Sequence, residues 1–314
     1  MKILIYGAGV LGCNLAHTLF ESRFKSKDEI TLLARGYWFD EIKNNGLTIK
    51  HRLKFKTTND KINVINKLKE NDFYDVIFVV MQFIQIESII DILNKNVSKN
   101  IVLVGNNLDT DKFLNLLKNK NVLFGFFKAA GNKSQNKINS ISLNKITIGR
   151  TDNKNADNDF ISEIFKNTKI KAEIENKMND WLKCHMAFVL PVFYACYYSG
   201  LNLKNIKNDK IFIYKIIDAI KEGYDILGKL GYDKLPEEDY KAVSQNRRKC
   251  YIFFKICCST FLGNLMATEH SISGKNEMIA LANEFNKLKE KANMNTPNLD
   301  ELEKYAYENN IITK

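Results

Sequence analysis

Two hydrophobic rhythms divide the chain. In the first half, short continuous apolar runs recur at residues 2–6 (KILIY), 30–34 (ITLLA), 76–80 (VIFVV), 101–104 (IVLV) and 122–126 (VLFGF). Runs that are apolar throughout, and not alternating, suit strands covered on both faces. Helical periodicity fills the intervals at 10–20, 84–93 and 110–117. Strands that alternate with helices predict a doubly wound parallel sheet. Residues 137–150 break this rhythm, because 138–142 and 146–149 read as a hairpin turning about Asn144. Beyond about residue 156 the pattern becomes helical, at 180–198, 210–230, 237–247, 251–266 and 276–291, with one short strand at 170–174. The expected fold is therefore α/β, with an N-terminal sheet domain over 1–165 and a C-terminal all-helical domain over 166–314.

Composition narrows what such a chain can be. At 314 residues, 45% hydrophobic and 26% charged, it suits two ordinary globular domains and excludes a disordered or collagen-like chain. Only 3 Pro and 15 Gly leave little room for a long flexible linker. A surplus of 47 basic over 36 acidic residues gives a net charge of +11. That surplus is dispersed as single lysines among asparagines, whereas a nucleic-acid binder clusters basic residues with interleaved aromatics. The apolar runs 186–201 and 251–267 fall short of the ~20 clean residues a membrane-spanning helix needs. No partner in the form of nucleic acid or membrane is expected. Six cysteines lack a CxxC pair, and the four histidines form no metal constellation. With no secretory leader read in the apolar start, a reduced cytoplasmic protein is expected.

The chemistry begins where the first strand ends. Gly7, Ala8, Gly9, Val10, Leu11 and Gly12 form a GxGxxG that follows a strand and opens a helix. In that context the first glycine permits a tight turn, the second admits a pyrophosphate, and the third lets helix and sheet pack closely. The helix start offers free N–H groups to the phosphates. The sheet domain therefore reads as Rossmann-like and dinucleotide-binding. After the second strand an NAD site carries Asp or Glu for the ribose hydroxyl. This chain has Ala34, Arg35 and Gly36 there. A guanidinium pairs with a 2′-phosphate that a carboxylate would repel, so NADP is the expected cofactor.

The sequence now resembles, over most of its length, the ketopantoate reductases (2-dehydropantoate 2-reductases). The resemblance rests on the glycine loop, on LLARG at 32–36, and on Gly105-Asn106-Asn107 after the fourth strand. Trp181-Leu182-Lys183, Gly274-Lys275-Asn276-Glu277-Met278 and Thr296-Pro297-Asn298 continue it in the same order. It implies that Lys183 is the general acid that protonates the substrate carbonyl, with Glu277 beside it as the second catalytic residue. It also implies that Asn106 borders nicotinamide and substrate, and that Gln85 keeps a family glutamine on the cofactor side. A family lysine after the third strand aligns with Gln82. A role in pantothenate biosynthesis would follow for a close relative.

Departures from the family set the substrate apart. Ketopantoate reductases usually carry Asn one and two turns beyond the lysine, where this chain has Ala187 and Pro191 (or Leu190). The serine that usually precedes the glutamate has no match. Tyr194, three helical turns beyond Lys183, is the remaining polar candidate on that face, with Ala187 and Asn106 as further substrate contacts. The reading is an NADPH-dependent reductase of a small 2-keto acid or related carbonyl compound, acting in a cleft between domains. Its partners are that substrate and at most a second copy of the chain as a homodimer. The alternative is a catalytically silent NADP-binding sensor, which would have no need of a buried proton donor.

Overall fold

In the computed structural model, which describes residues 1–23, 28–152 and 158–309, the apolar runs become neighbouring strands of one sheet. Strand β1 (Lys2–Tyr6) leads into α1 (Val10–Arg23), then β2 (Glu29–Leu33) and α2 (Tyr37–Asn45). A hairpin of β3 (Leu47–His51) and β4 (Lys56–Asp60) precedes β5 (Asn63–Ile65). After β6 (Val76–Val80) come a 3₁₀ segment (Phe83–Ile89), α3 (Ile90–Lys95), β7 (Asn100–Val104) and α4 (Thr110–Leu116). Two long strands, β8 (Asn121–Lys133) and β9 (Ile138–Gly149), are followed by α5 (Asn158–Phe165) and β10 (Lys171–Ile174).

Six of these strands run parallel in the order β5-β2-β1-β6-β7-β8. Strands β2 and β5 extend the sheet on one side of β1 and β6, β7 and β8 on the other, while β3 and β4 join its far end beside β9. The strand order therefore reverses between β1 and β6, which is where open α/β sheets bind ligands. Every residue of β6 is buried, as a continuous apolar run between two covered faces requires. Helix α1 packs on the sheet through Cys13, Leu15, Ala16 and Leu19.

The hairpin expected about Asn144 is not there. Residues 138–149 form one strand, β9, and its antiparallel partner is β8, reached through the turn at 134–137. Asn144 does adopt a left-handed backbone, φ 52°, but inside the strand, opposite the register shift between Phe127 and Ala129. Asn tolerates that conformation in a bulge as readily as in a turn, so the same residue signal fits both.

The chain divides into two compact units, Met1–Met178 and Asn179–Lys314. The division comes after 178 and not after 165, because β10 pairs in parallel with β9 and so belongs to the sheet. The expected onset of helical rhythm near residue 156 lies outside the described residues.

The second unit is all helical among its described residues. It comprises α6 (Met178–Tyr198, its first residue closing the preceding unit), α7 (Lys210–Lys229), α8 (Glu237–Ser244) and α9 (Arg247–Ser259). Short α10 (Phe261–Gly263) and α11 (Glu269–Ser273) flank a π turn, and α12 (Lys275–Ala292) and α13 (Pro297–Glu308) complete it. One helix expected over 251–266 is broken at Thr260, whose extended backbone (φ −118°, ψ 169°) ends α9. Helices α6 and α7 approach closely: a Cβ on Gly223 would lie 2.9 Å from that of Ala187. Among the described residues no helix is long and apolar enough to cross a membrane.

Candidate functional site

The turns after β1, β6 and β7 lie side by side. A Cβ on Gly7 would sit 2.3 Å from the Val80 carbonyl oxygen and 3.4 Å from Met81 Cγ, and one on Gly105 would sit 3.2 Å from the Met81 oxygen. Gly7 has φ 124° and Gly105 φ 149°, a region L side chains rarely adopt. Three strand ends thus converge at the reversal of strand order.

Each glycine of the loop does a separate job. At Gly12 a Cβ would meet the Gly7 carbonyl oxygen at 1.9 Å, so helix α1 can enter this closely only on a glycine. Around Gly9 nothing lies within 4 Å of the Cβ position, and the residue is exposed. Cys13 N–H donates to the Gly9 carbonyl at 2.9 Å, which closes the first turn of α1 immediately behind that opening. No acidic residue occupies that turn, so nothing there repels an anion from the helix start. Ala8, Val10 and Leu11 are half-buried against the core under α1. A tight first glycine, an open second and a packed third fit a dinucleotide pyrophosphate.

Arg35 lies just past β2, exposed, and its Nη2 donates to the Tyr6 hydroxyl at 2.5 Å. Its guanidinium also sits 5.7 Å from the Tyr6 ring centroid. Tyr6 closes β1, so the arginine is held where β1 and β2 end together. Beyond β7, Asn106 and Asn107 are buried, at 6% and 1% exposure, and each leaves its Oδ1 without a hydrogen-bond partner. Asn107 Nδ2 donates to the Gly105 carbonyl at 3.2 Å, which fixes the oxygen as its free atom. Unsatisfied buried acceptors are costly, and a bound group carrying N–H or O–H would relieve them. Gln85 is exposed on the 3₁₀ segment, with its backbone N–H donating to Gln82 O at 2.8 Å.

In the helical unit, Lys183 occupies the second turn of α6 at 7% exposure. Its ammonium donates to Asn179 Oδ1, one turn earlier, and stands 5.0 Å from the Tyr232 ring centroid. Glu277, 4% exposed, is in the first turn of α12, where the helix dipole favours a carboxylate. Two expected substrate contacts are occupied by packing. Ala187 abuts Gly223 of α7, and Tyr194 is enclosed beside Phe193 with ring centroids 5.6 Å apart. Burial pushes the Tyr194 hydroxyl's pKa well above its ordinary value, with Glu303 and Tyr307 adding to the effect.

Residues 3–153 match the family model described as ketopantoate reductase PanE/ApbA. Over those residues, just under half its length, the chain is similar to the ketopantoate reductase family. No curated protein matches it by sequence. Solved structures share this fold at low identity. A 2-dehydropantoate 2-reductase from Geobacter metallireducens is 14% identical, with a TM-score of 0.79 over 98% of this chain and 100% of that one. A D-mandelate dehydrogenase with NADH and anilino(oxo)acetate is 14% identical, TM-score 0.75, covering 100% of both chains. A putative ketopantoate reductase from Ralstonia solanacearum is 15% identical, TM-score 0.73, over 98% of each.

Sequence reasoning overlooks Tyr6, Asn179 and Tyr232, which touch the candidates, and gives Asn107 no role beyond the Gly105-Asn106-Asn107 motif. Tyr6 reads simply as the last residue of a buried strand. Asn179 stands four residues before Lys183, a spacing that puts both on one helix face and so is within reach of a pattern argument. Tyr232 is 49 positions from Lys183 in the chain and gives no local signal.

Proposed function

We propose that the protein is an NADPH-dependent reductase of a small 2-keto acid or related carbonyl compound, with Lys183 as the general acid. The observation that carries this reading is the buried Lys183 ammonium. Lysine is rarely buried unless it is paired, and here a partner is the neutral Asn179 amide, which does not itself neutralise the charge a substrate oxygen would meet. The solved relatives bear names for reduction of ketopantoate and oxidation of mandelate, both couples of a 2-keto and a 2-hydroxy acid. The match of residues 3–153 to the ketopantoate reductase family model supports the same class here.

When bound, the nicotinamide would supply the hydride. Gly7, Gly9 and Gly12 would admit the pyrophosphate to the start of α1, and Arg35 would pair with the 2′-phosphate. Asn106 would offer its free Oδ1 to a donor at the nicotinamide or substrate. Negative charge builds on a ketone oxygen as it is reduced, and a protonated amine aimed there stabilises that charge and then yields its proton. Glu277 would be the acidic partner that the resemblance places beside the lysine, where a carboxylate would favour the ammonium.

Ketopantoate itself is not the expected substrate. Ala187 and Pro191 cannot hydrogen-bond a polar substrate, and a pocket lacking such partners can lose ~10⁴ in discrimination. Turnover of ketopantoate at kcat/KM above about 10⁴ M⁻¹s⁻¹ would overturn that part of the reading.

The deciding experiment starts from a panel of 2-keto acids, followed by loss of NADPH absorbance. With a working substrate, Lys183→Ala should keep NADPH binding and lose ~10²–10⁴ in turnover, mostly in kcat. Lys183→Arg should rescue poorly, because guanidinium keeps its proton near neutral pH. Unchanged rates in both variants would remove Lys183 from the chemistry. Tight NADPH binding with no carbonyl compound ever reduced would favour a cofactor sensor instead.

A further inference from the structure

The surroundings of Lys183 contain a fastening that its assignment as acid does not account for. The segment after α7 returns to α6 and is bonded to it on both sides of Lys183. Asp233 N–H donates to Asp180 Oδ2 at 2.9 Å. Cys184 Sγ–H donates to the Asp233 carbonyl at 3.3 Å and accepts from Leu235 N–H at 3.4 Å. Burial and the neighbouring acids push the Cys184 thiol up to about 12, which keeps it a donor. On its other flank Tyr232 N–H donates to Leu227 O at 3.0 Å, capping α7 after Gly231 turns the chain with φ 88°. The Tyr232 ring is thus fixed between two helices, and its face meets the Lys183 ammonium.

We infer that Asn179 and Tyr232 are positioning residues for Lys183, holding its ammonium from two sides so that it points in a set direction. The inference rests on the proposed reductase reading for its purpose, though not for its geometry. A lysine side chain has four rotatable bonds and a large rotamer entropy, so an unheld ammonium samples many directions. One charge-assisted hydrogen bond to Asn179 Oδ1 and one ring face together remove most of that freedom. Both groups are uncharged, so they orient the ammonium without taking its proton. The three bonds around Asp180, Cys184, Asp233 and Leu235 serve to keep the ring in place.

The test reads the ammonium directly in cofactor-free protein and then reads turnover. In ¹⁵N-labelled protein, the Lys183 NH₃⁺ signal should be visible, because burial and hydrogen bonding slow its exchange with water. It should be displaced by the ring current of Tyr232, and it is assigned by its disappearance in Lys183→Met. Tyr232→Leu should abolish the displacement, Tyr232→Phe should keep it, and Asn179→Ala should broaden the signal away. Asn179→Gln, which carries the amide oxygen one methylene further out, gives a milder variant for the same reading. In turnover, Tyr232→Leu and Asn179→Ala should each lower kcat by about 10- to 100-fold, the usual effect of a misplaced reacting group, at unchanged KM for NADPH. Tyr232→Phe should restore kcat to within about twofold, because the ring face is what it supplies.

No visible ammonium in the parent protein, or a signal indifferent to both residues, overturns the inference. So does a parallel loss in Tyr232→Phe and Tyr232→Leu, which would make the hydroxyl or mere folding the cause. Failure of the reductase reading looks different: Lys183→Ala would retain turnover while the ammonium signal still responded to Asn179 and Tyr232.

Discussion

At the scale of single residues, the proposed preference for NADPH turns on Arg35 and its neighbour. The guanidinium is exposed, yet Tyr6 limits its range through one hydrogen bond and a ring contact. Preorganisation of that kind lowers the cost of fixing a long side chain on binding. Arg35→Ala should weaken NADPH binding by about 1.5–3 kcal/mol, the range for a hydrogen bond to a charged group, and leave NADH within about twofold. Tyr6→Phe should preserve the fold and show a smaller loss, again confined to NADPH. Titration calorimetry with both cofactors separates the outcomes, and an equal loss for NADH and NADPH in Arg35→Ala would make the arginine structural. The cysteines illustrate the opposite case at this scale. Burial pushes Cys13 and Cys258 up to about 12 and Cys196 and Cys250 to about 11, so their thiols stay protonated and act as packing.

At the scale of elements, the glycine loop makes a prediction that separates packing from binding. Gly12→Ala would drive a methyl to 1.9 Å from the Gly7 oxygen and should cost about 2–3 kcal/mol by overpacking backbone against backbone. Gly9→Ala meets nothing within 4 Å, so stability should change by about 0.5 kcal/mol or less while NADPH affinity falls. Urea unfolding and NADPH titration on the same two proteins should show opposite patterns. That separation was legible in the sequence, since the spacing of the three glycines between a strand and a helix already assigned them different tasks. The strands β1, β6 and β7, buried along all or all but the first of their residues, were legible too, because continuous apolar runs have few other uses. Strands β4 and β5 were not. Their sequences, KTTND and NVI, bury little, and their pairing with β3 and β2 is set by the sheet edge they join. Lys183, by contrast, was singled out only by the resemblance, and the Tyr232 ring against it arises from a long-range return of the chain.

For the molecule as a whole, the sheet unit carries a built-in sensitivity to acid. His51, on β3, is buried at 7% exposure, and its Nε2 lies 2.8 Å from Thr58 Oγ1. Its ring stands 4.7 Å from that of His17, whose Nδ1 is 2.7 Å from Asp60 Oδ2. Burial chiefly, then His17, Lys54 and Lys56, lowers the His51 pKa from 6.5 to about 4, with Glu21 opposing. A histidine depressed in the folded state binds its proton more readily when unfolded. Its contribution is therefore fully present above pH 6.5 and is lost as pH falls from there towards 4. Between pH 7.5 and 5 the loss should be about 1–2 kcal/mol, allowing for partial hydration of the ring. The net charge of +11 adds a general repulsion that also grows in acid, so a single curve would not isolate His51. His51→Gln removes the titration and keeps a polar partner for Thr58. The chain has two tryptophans, Trp38 in the sheet unit and Trp181 in the helical one. In a Trp181→Phe background, Trp38 fluorescence therefore follows unfolding of the sheet unit alone. Urea midpoints measured in that background with and without His51→Gln should converge as pH falls from 7.5 to 5. Parallel curves would mean that His51 titrates alike folded and unfolded, and that the acid sensitivity belongs to the charge surplus.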